Sequence, residues 1–301
     1  MRFLFFVAIF ILSNRLIITN YYKMKRVLTV VVCLLFSATI SAQFGRTYVY
    51  KTVQDIAYRA ENPNDYAAER CKLDIYYPSD KENFSTLIWY HGGGLTGGQK
   101  SVPAELMNKG IAVVAVGYRL SPGATVEECI DDAAAAAAWV VNHIAEYGGN
   151  PDMLFVSGHS AGGYLTSMIG MDKRWLAPYG VDPDEAFAAL LPYSGQAITH
   201  FTRRSELGMK DTQPLVDELS PLYHVRPDCA PMVIYSGDRE LEMLGRYEEN
   251  AYLWRMMKIC GHPDVTLYEL DGFNHNTMAS PAHQLAVQYI RTKERAASQQ
   301  R

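Results

Sequence analysis

A chain of 301 residues, 49% apolar and 20% charged, is long enough for one large domain with a buried core, and its composition is that of a folded protein. A net charge of −4 and a sequence pI of about 6.1 argue against nucleic acid or an anionic membrane surface as a partner. The eight histidines show no HExxH or similar spacing, so no metal site is expected.

The N-terminus reads as a targeting segment. An apolar run over 3–12 is broken by Asn14 and Arg15. A second start follows at Met24, with Lys25-Arg26, an apolar stretch over 27–36 and the small residues Ser37-Ala38-Thr39-Ile40-Ser41-Ala42. That order predicts a signal region over 1–42, with Met24 as the true start and cleavage before Gln43. The protein is then exported, periplasmic or secreted. Neither run reaches the ~20 residues of a spanning helix, which disfavours the alternative of an N-terminal anchor. Cys33 lies inside the apolar run behind Val32, where a lipoprotein would carry a small residue. Cys71, Cys129, Cys229 and Cys260 are widely spaced and read as structural thiols.

Beyond the signal, 43–301 reads as a single domain. Segments 47–58 and 71–77 are β-rich, with Asn62-Pro63-Asn64-Asp65 as the turn between them. Strands are predicted over 86–90, 111–118, 153–157, 187–193, 231–235 and 265–270. Helices are predicted over 102–109, 126–147, 161–171, 241–259 and 281–297. The continuous apolar runs at 111–118 and 153–157 are of the kind buried on both faces, and the alternation implies an α/β fold: a mostly parallel sheet covered by helices on both faces. The polar, irregular stretch 196–228 is read as a cap or pocket-forming insertion, or equally an ordinary surface excursion. Phe201, Leu222 and Tyr223 are its candidates for shaping a pocket.

Two glycine motifs carry the chemistry. Gly158-His159-Ser160-Ala161-Gly162 joins the predicted strand at 153–157 to the helix at 161–171. A strand that reverses so abruptly needs glycines where side chains would collide, and it leaves Ser160 projecting as a nucleophile. His91-Gly92-Gly93-Gly94 follows the strand ending at Tyr90. About 0.003 such motifs are expected by chance from this composition, so it is informative. Its backbone N–H groups can approach a developing oxyanion, with Gly93, Gly94 and Ala161 as the donors. The loop lacks the Gly-Lys-Ser/Thr signature of a phosphate loop that would favour a nucleotide instead. The base is expected after the last strand, at His275. The acid is expected after the strand before it, in Ser236-Gly237-Asp238-Arg239-Glu240, where Asp238 and Glu240 compete.

Taken in order, His91–Gly94, Tyr118-Arg119-Leu120-Ser121-Pro122, Asp131-Asp132-Ala133 with Trp139, Gly158–Gly162 and the Gly237 and His275 loops resemble the α/β-hydrolase superfamily. Within it they resemble the carboxylesterase and hormone-sensitive-lipase-like branch, over roughly 70–295. The resemblance implies an exported serine esterase of the feruloyl/acetyl-xylan type, with kynurenine-formamidase-like relatives sharing the loops. It implies an acid three residues after the loop glycine, at Glu240, giving the triad Ser160, Glu240 and His275. His159 stands where the lipase branch has an acidic residue, which turns the likeness toward polysaccharide esterases and formamidases. The implied substrate is a small-molecule or carbohydrate-linked ester, and no cofactor is implied. An amidase or small peptidase on the same fold, and a non-catalytic binding module, are the other readings.

Overall fold

The computed structural model describes residues 47–59 and 65–299, so the signal region and most of the predicted 62–65 turn lie outside the described residues. Residues from Tyr48 on form one compact unit. Its strands are β1 (Tyr50–Ala57), β2 (Lys72–Pro78), β3 (Phe84–Tyr90), β4 (Ala112–Val116), β5 (Gly149–His159), β6 (Ala189–Tyr193), β7 (Met232–Gly237) and β8 (Val265–Leu270). They make one sheet in the order β1-β2-β4-β3-β5-β6-β7-β8. β1 and β2 pair antiparallel, as do β2 and β4; every other pair is parallel.

Side chains alternate across this sheet and build two cores. Ile88 and Tyr90 of β3, Val114 of β4 and Val156 of β5 face one core; Leu87, Trp89, Val113 and Phe155 face the other. Helices α2 (Val126–His143) and α3 (Ala161–Met171) cover the first, and α7 (Ala279–Gln299) covers the second through Ala282, Ala286 and Ile290. α2 starts in a capping box: Thr125 Oγ1 accepts from Glu128 N–H at 3.2 Å, and Glu128 accepts from Thr125 N–H at 2.8 Å. Its stretch 133–138 is alanine throughout and buried, so it packs without bulky side chains. The remaining helices are α1 (Asp65–Arg70), α4 (Pro183–Ala186), α5 (Phe201–Glu206) and α6 (Arg246–Ile259).

Two predicted helices differ. At 102–109 there is only a 3-10 turn, Ala104–Leu106. Leu106 is its one buried residue, so there is no apolar face to hold a helix down, and Asn108 turns left-handed at φ +59°. The helix predicted over 241–259 begins at Arg246 instead, because Leu244 and Gly245 adopt φ +48° and +72°. The insertion packs down rather than standing off: Tyr164 donates to Leu219 O at 2.7 Å, and Thr202 donates to Gly94 O at 2.5 Å.

Candidate active site

The expected nucleophile, Ser160, sits on a strained turn. Ser160, between β5 and α3, has φ +57° and ψ −113°, and its N–H donates to Tyr193 O at 2.8 Å. The turn leaves no room for side chains at its glycines. A Cβ at Gly162 would lie 2.0 Å from the Tyr90 carbonyl oxygen, and one at Gly158 would lie 2.5 Å from the Gly162 carbonyl carbon. Gly92 runs so close that a Cβ there would meet Ser160 Cβ at 3.4 Å. The glycine loop is thus brought against the nucleophile, with Gly93 at φ +115° and Gly94 at φ +64°. Ala161 opens α3, where N–H groups have no acceptor within the helix. Tyr118 fixes the loop by donating to His91 O at 2.7 Å and stacking on the His91 ring at 4.3 Å. Of the insertion side chains, Phe201 reaches this place, with its ring 2.9 Å from where a Gly94 Cβ would be. Tyr223 is 62% exposed, and Leu222 packs against the core.

His275 meets Ser160 as expected, with Nε2 2.9 Å from Oγ. Its acid partner is neither Glu240 nor Asp238. Glu242 lies 2.9 Å from His275 Nδ1 through Oε2, with its side chain 1% exposed. Glu240 is exposed, and its N–H is spent on the Asp238 carboxylate at 2.8 Å. Asp238 instead shapes the turn: its other oxygen accepts from Gly272 N–H at 2.8 Å, which holds its carboxyl low. The chain then closes on the Asp238 carbonyl, which accepts from Glu242 N–H at 2.8 Å. That turn carries the acid two residues past the expected position. A sequence signal existed: Glu248 and Glu249 mark a first helical turn, placing the helix start after Gly245 and leaving 238–245 as loop.

The carboxylate is saturated with donors. Oε1 accepts from Ser194 Oγ at 2.6 Å and Gly237 N–H at 3.0 Å; Oε2 accepts from Met243 N–H at 3.1 Å. Burial pushes the Glu242 carboxyl up, but the hydrogen bonds from His275 and Ser194, the His275 charge and the Gly237 N–H outweigh it and bring it down to about 2. His159 donates through Nε2 to His275 O at 2.7 Å, with the two rings 4.8 Å apart, so the elbow histidine braces the loop of the base.

The motif residues at 119 and 131–132 serve the scaffold. Asp132, fully buried, accepts from Arg119 Nε at 2.8 Å and Arg59 Nε at 2.6 Å. Asp131 accepts from Tyr179 OH at 2.7 Å.

Acid should weaken the fold in a defined window. Burial pushes His91, His159 and His283 down to about 4, against an ordinary 6.5. Between those values the unfolded chain binds more protons, so their contribution is full above pH 6.5 and falls as pH drops toward 4. The Glu242 contribution is lost lower, from its ordinary 4.5 down to about 2. The urea midpoint is therefore expected to decline from pH 7 to pH 4; a flat midpoint would show these imidazoles to be hydrated.

Among known proteins, the BD-FAE family model matches residues 73–177. LipM of Mycobacterium tuberculosis, a probable carboxylic ester hydrolase, is 31% identical over 192 residues, covering 55% of this chain and 44% of its own. The esterase LipQ of the same organism is 28% identical over 211 residues, covering 63% and 49%. The chain thus spans about half the length of these relatives. Among solved structures, a truncated carbohydrate esterase from gut microbiota superposes with a TM-score of 0.67 at 18% identity, over 82% of this chain and 96% of that one. Thermogutta terrifontis esterase 2 gives 0.61 at 23%, over 82% and 95%. The chain has the α/β-hydrolase fold and is related in sequence to the carboxylic ester hydrolases.

Proposed function

We propose that the protein is a serine carboxylic-ester hydrolase working through an acyl-enzyme, with Ser160, His275 and Glu242 as its triad. The observation that carries this reading is the continuous chain of contacts from Ser160 Oγ through the His275 ring to a buried carboxylate, 2.9 Å at each step. Ser160 Oγ attacks the ester carbonyl carbon while its proton passes to His275 Nε2. The carbonyl oxygen becomes an oxyanion facing the N–H groups of Gly93, Gly94 and Ala161. As the C–O bond breaks, Nε2–H protonates the leaving alkoxide. Water then loses a proton to the same nitrogen and attacks the acyl carbon; as the acyl C–Oγ bond breaks, Nε2–H returns that proton to Ser160 Oγ, releasing the acid and restoring the resting enzyme. Glu242 stays ionised throughout and balances the imidazolium.

The finer reading is an exported esterase removing acetyl or feruloyl groups from plant polysaccharide. It is supported by the signal-like pattern at 24–42, the BD-FAE match and the likeness to a carbohydrate esterase. His159 at the elbow keeps formamide cleavage as a second reading. The test compares turnover of p-nitrophenyl acetate, methyl ferulate, acetylated xylan and N-formylkynurenine by residues 43–301. Turnover of the ferulate or xylan ester supports the finer reading. Exclusive cleavage of the formamide transfers the protein to the second, and a folded protein inert on every ester removes the first altogether.

A further inference from the structure

Ser194, immediately after β6, is used by neither the nucleophile nor the oxyanion loop, yet it touches both other members of the triad. Its Oγ lies 2.6 Å from Glu242 Oε1 and 2.9 Å from His275 Nδ1. It is fully buried. Its backbone is fixed on two sides: the N–H donates to Tyr235 O of β7 at 2.7 Å, and the carbonyl accepts from Nη1 of buried Arg246 at 2.5 Å. It holds φ +46°, a conformation that favours glycine and costs a serine side chain. A strained, buried serine beside Gly195 points to a use for its hydroxyl.

An ionised carboxylate only accepts, so the Ser194 hydroxyl hydrogen lies toward Glu242 Oε1. The Ser194 oxygen is then free to accept from His275 Nδ1–H, which it shares with Glu242 Oε2 at the same 2.9 Å. The three groups close a ring in which the imidazole carries its hydrogen on Nδ1 and presents a bare Nε2 to Ser160. Gly237 at the end of β7 and Met243 in the acid loop hold the carboxylate through backbone N–H groups; Ser194 is the side chain that ties it to the end of β6.

We infer that Ser194 is a positioning residue that locks the carboxylate plane of Glu242 and the Nδ1–H tautomer of His275. This rests on the triad reading above and adds a fourth member to it. Two variants test it. Ser194→Ala removes the hydroxyl; Ser194→Gly removes it and relieves the positive φ, so it should fold at least as well as the parent. Both are expected to lose about tenfold in kcat on p-nitrophenyl acetate with KM essentially unchanged, the loss of one hydrogen bond to a charged group. In both, the strongly deshielded 1H resonance of His275 Nδ1–H should move upfield. Full activity in folded Ser194→Gly with an unmoved resonance would overturn the assignment. So would a loss confined to Ser194→Ala that follows its thermal midpoint, because that pattern means packing. The resonance needs no substrate, so an inert parent protein would sink the esterase reading while still testing the Ser194 contact.

Discussion

Ser160→Ala is expected to lower kcat on p-nitrophenyl acetate on the order of a million-fold while leaving the thermal midpoint within about 2 °C of the parent. The size of the loss follows from interdependence. Without the hydroxyl there is no atom to form the acyl bond, and His275 and Glu242 are left with no nucleophile to activate. What survives is the residual help of the oxyanion donors to a water molecule. The small stability effect follows from geometry. Ser160 is held by its backbone, through its N–H to Tyr193 O, and Ala tolerates φ +57° no worse than Ser. Matched thermal scans and initial rates decide it; a folded variant within tenfold of the parent would take the nucleophile away from Ser160.

Glu242→Gln should cost on the order of 10³- to 10⁴-fold in kcat, whereas Glu240→Gln should stay within about threefold of the parent. The reason is the direction of a hydrogen bond. Glu242 receives donors at every lone pair, from Ser194, Gly237, Met243 and His275. An amide in that place must aim N–H groups at some of them. If the amide nitrogen faces His275, the ring must carry its hydrogen on Nε2, pointing at Ser160 where a lone pair is needed. If it faces Ser194 and Gly237, the fixed Gly237 N–H collides with it and the Ser194 hydroxyl must turn its hydrogen away. Glu240, exposed and turned away, makes no contact with the base. Asp238→Asn should fall between the two, because its carboxylate fixes the turn from which Glu242 projects. Rates for the three variants side by side check the order, and a larger loss at 240 than at 242 would reverse the assignment.

What was legible in the chain was what local backbone chemistry dictates. The turn around Ser160 needs glycines at 158 and 162 because backbone atoms occupy the space a Cβ would take, and that requirement is written in the residues. Position after the final strand was enough to single out His275. The acid was hidden by a boundary. Leu241 and Leu244 extend the apolar spacing of α6 backwards, so 241–259 reads as one helix and Glu242 as its first turn. The break comes from two left-handed residues, Leu244 and Gly245, of which only the glycine announces itself. Ser194 was invisible for a different reason. Its partners lie 48 and 81 residues away, and nothing in a Tyr-Ser-Gly strand end tells a catalytic neighbour from an ordinary turn.

Asp238 binds the acid loop to the histidine loop: its N–H donates to Phe273 O and its carboxylate takes Gly272 N–H, each at 2.8 Å. The two loops are therefore one interchangeable part. Transplanting either segment alone between related hydrolases would leave an unmatched half of this clasp and a misaimed imidazole. Moving 238–245 and 271–276 together would carry the base and its acid as an intact module.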